Sequence, residues 1–226
     1  MLTKIQLLTQ NEMPKISDIS LLLYIEFFEE NFHGKIYEYK LNNGWIVRLN
    51  MDKSRIHHLL GIQHIDSKSI NKKTFINDIK NYTITIDALR DSKGKKDRFN
   101  DMKDRILMFS CLNYLLENCT YFYVDTGKVP KSMVPADFLL FNKISEKGVQ
   151  LAIEKNKDNE FYKAVSLLVT RAASYDKHIA DLDNYQVVEL NIWGCNNKLI
   201  KNIYYSNEVE KEIAATNNRF LNYLKK

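Results

Sequence analysis

The sequence predicts an α+β protein in which a long helix covers an antiparallel sheet. Apolar side chains recur at helical spacing in the first half of the 226 residues, and the longest such run covers residues 98–118. Beyond that run the apolar period changes from about 3.6 residues to about 2, which is typical of strands. The composition also indicates a folded chain, because 45% of the residues are hydrophobic and only 7 are Gly and 3 are Pro.

The N-terminal region predicts a helix followed by a hairpin. Residues 16–31 are apolar at helical spacing, and Ser17 or Asp18 can cap the first turn. Residues 35–50 form two alternating runs around an Asn-Asn-Gly turn, whose residues accept positive φ. The chain is therefore expected to enter its sheet through a tight β-hairpin.

A short helix capped at both ends is expected over residues 52–62. Asp52 can accept the first amide protons, and Gly61 can adopt the left-handed conformation that ends a helix. Two more helices are expected near residues 72–80 and 84–92, before an exposed charged loop and the long helix.

The second half of the chain predicts strands and a final helix. Four strand-like runs joined by turn residues predict an antiparallel meander: 119–126, 136–143, 148–155 and 161–171. Residues 185–193 and 198–206 predict a further hairpin. Asn207 and Glu210 are spaced as the start of a last helix that would continue through Lys226.

Several classes of protein are excluded because their motifs are missing from the sequence. It contains no phosphate-binding loop, dinucleotide fingerprint, nucleophile elbow, zinc-protease motif or Cys-x-x-Cys pair. His178, Asp181 and Asp183 are the one metal-like grouping, and polar residues in a loop are usually solvated, so we expect no metal and no cofactor.

Charge and cysteine content give weaker indications. The 33 Lys and Arg residues exceed the 28 Asp and Glu residues, and the net charge of +5 is compatible with a polyanionic partner. The 3 cysteines have no metal-like spacing, which favours a reducing compartment. No apolar run approaches the roughly 20 residues that span a bilayer, and no signal-peptide pattern is present. We therefore expect a cytoplasmic protein that does not bind membranes.

The pair His57-His58 is the most informative polar feature of the sequence. The apolar phase of the short helix places His58 on its polar side, near Arg55, and His57 on the opposite flank, near Lys53. Imidazole can transfer a proton near neutral pH, and guanidinium can hold a phosphoryl group with two parallel donors. From spacing alone, however, a surface histidine that bonds a nearby carbonyl is the more common arrangement.

The segment from Arg55 to Ile62, together with Ala136–Leu139 and the late strand Tyr162–Leu168, resembles a known family. It is similar to the Barnase–EndoU–colicin–RelE-like nucleases of phages and mobile elements, over residues 25–171. The most specific part is residues 56–62, which places the family's characteristic histidine at His58. The family pattern often has Pro two residues before the serine of the late strand, where this chain has Ala164.

The resemblance implies a compact α+β domain over residues 1–171, with helices packed on one face of an antiparallel β-sheet. A C-terminal β-hairpin and helix extension would cover residues 172–226, although the whole chain could also be one domain. The other face of the sheet would form a metal-independent, RNA-cleaving cleft, where the ribose 2′-hydroxyl is the nucleophile.

The resemblance also implies roles for individual residues. His58 would be the general acid or base, Arg55 and Arg171 would neutralise phosphate, and Ser166 would position the scissile group. Additional contacts with nucleic acid are expected from His57, Lys163, Thr170, Lys95 and Lys96, although charged loops between helices are most often solvated.

Two other functions stay open at this point. A catalytically inactive relative would act by binding a host defence protein or a nucleic acid. A structural protein would instead dock or oligomerise through the tail after Asn207. The RNA target, a cognate inhibitor and the oligomeric state are not indicated by the sequence.

Overall fold

The computed structural model describes residues 1–65, 70–91, 96–124, 136–171 and 182–205. In these residues the helices are α1 (Lys4–Thr9), α2 (Leu21–Asn31), α3 (Ile56–Leu59), α4 (Ile62–Ile65), α5 (Phe75–Lys80), α6 (Ile86–Asp91), α7 (Lys96–Met108) and α8 (Leu112–Glu117). Single 3-10 turns occur at Ile16–Asp18, Lys53–Arg55 and Phe109–Cys111. The strands are β1 (Ile36–Leu41), β2 (Ile46–Asn50), β3 (Tyr121–Val124), β4 (Phe138–Ile144), β5 (Lys147–Lys155), β6 (Tyr162–Arg171), β7 (Asn184–Trp193) and β8 (Leu199–Tyr204).

The sheet closes into a seven-stranded barrel. Its strand order is β1-β2-β6-β5-β4-β3-β7, and β7 pairs back onto β1. Neighbouring strands are antiparallel except for β2 and β6, which run parallel over a short pairing. The eighth strand, β8, lies outside the barrel and pairs with β7.

The predicted architecture, with helices packed on one face of an antiparallel sheet, is therefore wrong. The local hairpins and the meander are present, but two pairings between distant segments, β1 with β7 and β2 with β6, close the sheet. Periodicity shows which face of a strand is buried, but it does not show which distant strand lies beside it. The strand β7 was expected in a C-terminal extension, but it is one of the barrel strands. The predicted division of the chain into two domains after residue 171 stays a prediction.

The local predictions for the first hairpin and for the two ends of the short helix are confirmed, but the helix itself is shorter than expected over residues 52–62, since a 3-10 turn (Lys53–Arg55) precedes the four residues of α3. β1 and β2 pair in register from Ile36 with Asn50 to Lys40 with Ile46. The side chain of Asp52 accepts a hydrogen bond from the backbone amide of Ser54 at 2.7 Å, which caps the turn before α3.

The two longer helices differ from their predictions at specific positions. The first begins at Leu21, with Ser20 rather than Ser17 or Asp18 as the cap, because the Ser20 hydroxyl accepts the Leu23 amide at 3.1 Å. The long helix expected over residues 98–118 is two helices, α7 and α8, separated by a 3-10 turn. The apolar phase persists through that turn, so the sequence pattern did not reveal the break.

The core joins the barrel to α8. Tyr39 on β1 is buried, and its ring centroid lies 4.9 Å from that of Phe122 on β3. Its hydroxyl donates to the carbonyl of Leu116 in α8 at 2.9 Å. A buried hydroxyl needs a partner, so this bond fixes α8 against the sheet.

Several predictions fall on residues that the structure does not describe. Lys95, His178, Asp181 and the helix expected after Asn207 lie outside the described residues. Among the helices within the described ranges, none combines the length and the apolar character needed to cross a membrane.

Candidate active site

Three of the nine residues selected from the sequence, Arg55, His58 and Ser166, lie where the segment from Lys53 to Leu59 packs against β6. Arg55 ends the 3-10 turn that precedes α3, and its Nε donates to the carbonyl oxygen of Ala164 at 2.8 Å. This bond crosses from the helical segment to the strand that carries Ser166, two residues further along. Arg55 and Ser166 are therefore brought together by the fold.

A β-bulge in β6 lies directly at this point. Ala152 of β5 pairs with Ser166, whereas the next residue, Ile153, pairs with Ala164, so Val165 has no opposite partner in the register. A bulge bends its strand and changes the direction of the adjacent side chains, and bulges are frequent beside active sites. Ser166 is only 5% exposed.

Arg105 of α7 is the functional candidate that the sequence analysis missed. Its Nη2 donates to the hydroxyl oxygen of Ser166, and its Nε donates to the carbonyl of Leu59 at 3.1 Å. The side chain is 7% exposed. Burial lowers the pKa of Arg105 to about 10, so the guanidinium is still charged at neutral pH.

Gly61 makes room for this arginine. Its φ of +71° is the left-handed conformation predicted for the end of the helix. A Cβ atom at Gly61 would lie 2.9 Å from Cδ of Arg105 and 2.9 Å from Sδ of Met102. The absence of a side chain thus allows α7 to approach the end of α3 closely.

His58 is a half-buried residue of α3 beside these groups. Burial, as the largest cause, lowers its pKa to about 4 together with the positive charges of Arg55, Lys72 and Arg105 and the neighbouring His57. The imidazole is therefore neutral at pH 7. A neutral imidazole can accept a proton, which is what a general base must do.

His57 occupies a different environment from the one expected. It was predicted on the flank near Lys53, but it is only 6% exposed and packs edge-on against Phe75, with ring centroids 5.0 Å apart. Neither of its ring nitrogens has a hydrogen-bond partner within the described residues. Burial lowers its pKa, and the charge of Lys72 adds to that effect. His57 is packed into the protein rather than presented at its surface.

The remaining predicted residues lie at varying distances along β6 and α7. Lys163 forms an ion pair with Glu154 at 3.2 Å. The hydroxyl of Thr170 donates to the carbonyl of Gly148 at 3.5 Å. Lys96 is exposed at the start of α7. Arg171 ends β6, where its backbone pairs with Lys147, five residues beyond Ser166, and its side chain lies outside the described residues.

The cluster formed by Arg55, His58, Arg105 and Ser166 combines positive charge with groups that can move or donate a proton. Within the described ranges, neither arginine pairs with a carboxylate, and each instead donates to backbone carbonyl or hydroxyl oxygen. Two guanidinium groups without acidic partners favour the binding of an anion such as phosphate.

In the described part of the chain, no group of three or more His, Cys, Asp or Glu residues could hold a metal ion. A family model described as phage-Barnase-EndoU-ColicinE5/D-RelE like nuclease4 matches residues 21–213, a range that includes all eight strands and the cluster. No curated protein and no solved structure gives a significant match.

Proposed function

This chain belongs to the phage-Barnase–EndoU–ColicinE5/D–RelE-like nuclease family, and we propose that it cleaves RNA without a metal ion, by attack of the ribose 2′-hydroxyl. Membership gives a nuclease family of phage type and a nucleic acid as the class of substrate. The choice of RNA and the mechanism are the proposal. It rests mainly on one observation, which is that the fold places His58 beside Arg55 and Arg105, two arginines that lack acidic partners among the described residues.

The chemistry assigns one task to each group. His58 would accept the proton of the 2′-hydroxyl, and the freed oxygen would form a bond to phosphorus. The bond from phosphorus to the 5′-oxygen would then break, and that oxygen would leave as a hydroxyl after taking up a proton from solvent. The products would be a 2′,3′-cyclic phosphate and a 5′-hydroxyl end.

Charge builds up on the phosphate oxygens during this step. Arg55 would neutralise it at the end of the turn before α3, and Ser166 would position the scissile group with its hydroxyl. Arg171 stays a proposed second phosphate contact at the end of β6. The proposed contacts for the nucleic acid beyond the scissile phosphate stay Lys163, Thr170, Lys96 and Lys95. His57 is not among them, because it is only 6% exposed.

The test uses two oligonucleotides of the same sequence, one RNA and one DNA, incubated with the purified protein in EDTA. We expect cleavage of the RNA only, with a 2′,3′-cyclic phosphate on the upstream product, because DNA has no 2′-hydroxyl. His58→Ala should lower the rate by about 10²-fold or more, as the loss of a general base implies.

A matched histidine serves as the control. His33 is also partly buried, but its Nδ1 accepts the Lys53 amide at 3.4 Å outside the cluster, so His33→Ala should cleave RNA at the wild-type rate. Cleavage of both oligonucleotides, or full activity in His58→Ala, would contradict the proposed mechanism. An intact RNA with the wild-type protein would instead favour the alternative of an inactive family member that binds a host protein or nucleic acid.

A further inference from the structure

We propose that Arg105 is a positioning residue that fixes the hydroxyl of Ser166 as a hydrogen-bond donor to the scissile phosphate. This inference rests on the proposed function, because it assigns a phosphate to the cluster. Arg105 was not singled out by the sequence, and it is not expected to touch the reacting atoms itself. It would act through Ser166.

The direction of the hydrogen bond is the first argument. A guanidinium group has only donors, so the Ser166 hydroxyl oxygen must be the acceptor in its bond with Nη2 of Arg105. A serine hydroxyl has one proton of its own, which is then directed away from the arginine. No group in the described residues accepts that proton, whereas a phosphate oxygen in the cluster could do so.

The second argument is that Arg105 is itself held in place at two points. Its Nε donates to the carbonyl of Leu59, the residue that follows His58, while its Nη2 reaches Ser166 on β6. The missing side chain of Gly61 lets Arg105 lie against the end of α3. One buried side chain thus connects the helix that carries the proposed base with the strand that carries the proposed donor.

The third argument concerns charge. Arg105 is 7% exposed, and within the described ranges no carboxylate compensates its charge. A buried charge without an opposite charge beside it lowers the stability of the fold. Such a group is usually retained where its electric field stabilises a bound ligand or a reacting group. A phosphate held by Ser166 would lie within reach of that field and would offset part of the cost.

Lysine cannot reproduce this arrangement. Its single ammonium nitrogen lacks the planar fork that lets arginine bond two acceptors in different directions at once. Arg105→Lys would keep the charge of the side chain and lose the simultaneous bonds to Leu59 and Ser166. The lysine variant therefore separates positioning from charge alone.

A double-mutant cycle tests the inference with two readouts, namely RNA cleavage and the binding of inorganic phosphate measured by isothermal titration. Arg105→Lys and Ser166→Ala should each lower kcat by about tenfold to hundredfold with KM little changed, and each should weaken phosphate binding. The double variant should be no worse than the more affected single variant, because both changes remove the same donor. Arg98→Lys, an exposed arginine on the same helix, should match the wild type in both readouts.

The outcomes keep this inference separate from the proposed function. Effects that multiply in the double variant, or a wild-type kcat in Arg105→Lys, would overturn the positioning role. If Arg105→Lys does not fold, Ser166→Ala decides alone, since wild-type phosphate affinity and kcat in that variant would also overturn it. Coupled loss of phosphate binding in a protein that does not cleave RNA would refute the proposed function and support the donor role.

Discussion

Lowering the pH from 7 to 5.5 distinguishes a buried, cation-flanked histidine from an ordinary one. The pKa of His58 is lowered to about 4 by burial and by neighbouring positive charges. At pH 5.5 about 97% of such a group is neutral, whereas a histidine with a pKa of about 6.5 is only about 9% neutral. If neutral His58 is the base, the two cases differ by about tenfold in kcat/KM at pH 5.5.

The assay is kcat/KM for RNA cleavage between pH 5 and 7.5, because that ratio reports ionisation in the free enzyme. We expect less than a twofold decrease from pH 7 to 5.5. A decrease of about eightfold, with a midpoint near pH 6.5, would refute the assignment of His58 as a base with a lowered pKa. Tryptophan fluorescence at each pH checks that the protein stays folded.

Two adjacent lysines supply a matched pair for the electrostatic part of this argument. Lys72 and Lys73 are both exposed, but only the charge of Lys72 contributes to lowering the pKa of His58. Lys72→Gln should therefore raise the His58 pKa measured by NMR titration, while Lys73→Gln should leave it unchanged. An equal response to both substitutions would show that a local charge is not the cause.

Three further predictions concern stability. Burial lowers the pKa of His57 in the folded protein, so as the pH falls the unfolded chain binds a proton before the folded one. The stability that depends on neutral His57 should therefore be present above pH 6.5 and decline as the pH falls below it. Urea titrations of His57→Phe should show a weaker decline, and an unchanged slope would contradict this. Gly61→Ala should lower the free energy of unfolding by about 2 kcal/mol or more, because strain at φ +71° adds to the clash with Arg105. Gly44→Ala, at φ +87° with no atom within 4 Å of the added Cβ, should lower the free energy of unfolding by only about 1 kcal/mol. Equal losses in the two variants would exclude the packing role of Gly61. Tyr39→Phe should lower the free energy of unfolding, measured by thermal unfolding, by about 1–3 kcal/mol, because it leaves the Leu116 carbonyl without its buried donor. An unchanged free energy of unfolding would show that this hydrogen bond makes no net contribution to stability.

Features that depend on residues close together in the chain were predictable from the sequence. The Asn-Asn-Gly hairpin and the Asp52 cap need only a few consecutive residues, and both are present. The left-handed Gly61 is likewise a local requirement for ending a helix. The segment around His58 also carried the resemblance, and the family match over residues 21–213 confirms it.

The orientation of the two histidines shows where local reasoning ends. A four-residue helix has too few turns for its apolar phase to define a face, and α3 extends only from Ile56 to Leu59. Packing by Phe75, which belongs to α5, buries His57 instead. No pattern within the short helix contains that information.

Closure of the barrel and the place of Arg105 were decided only by the tertiary structure. Arg105 stands in a charged stretch of α7 that is typical of a solvated helix face, yet its partners are 46 and 61 residues away in the chain. The pairing of β1 with β7 likewise places residues such as Tyr37 and Ile192 opposite each other, although no sequence pattern near either residue indicates the other. A sequence pattern reports whether a residue is apolar, whereas long-range pairing depends on which surfaces bury the most area together, and that is a property of the whole chain.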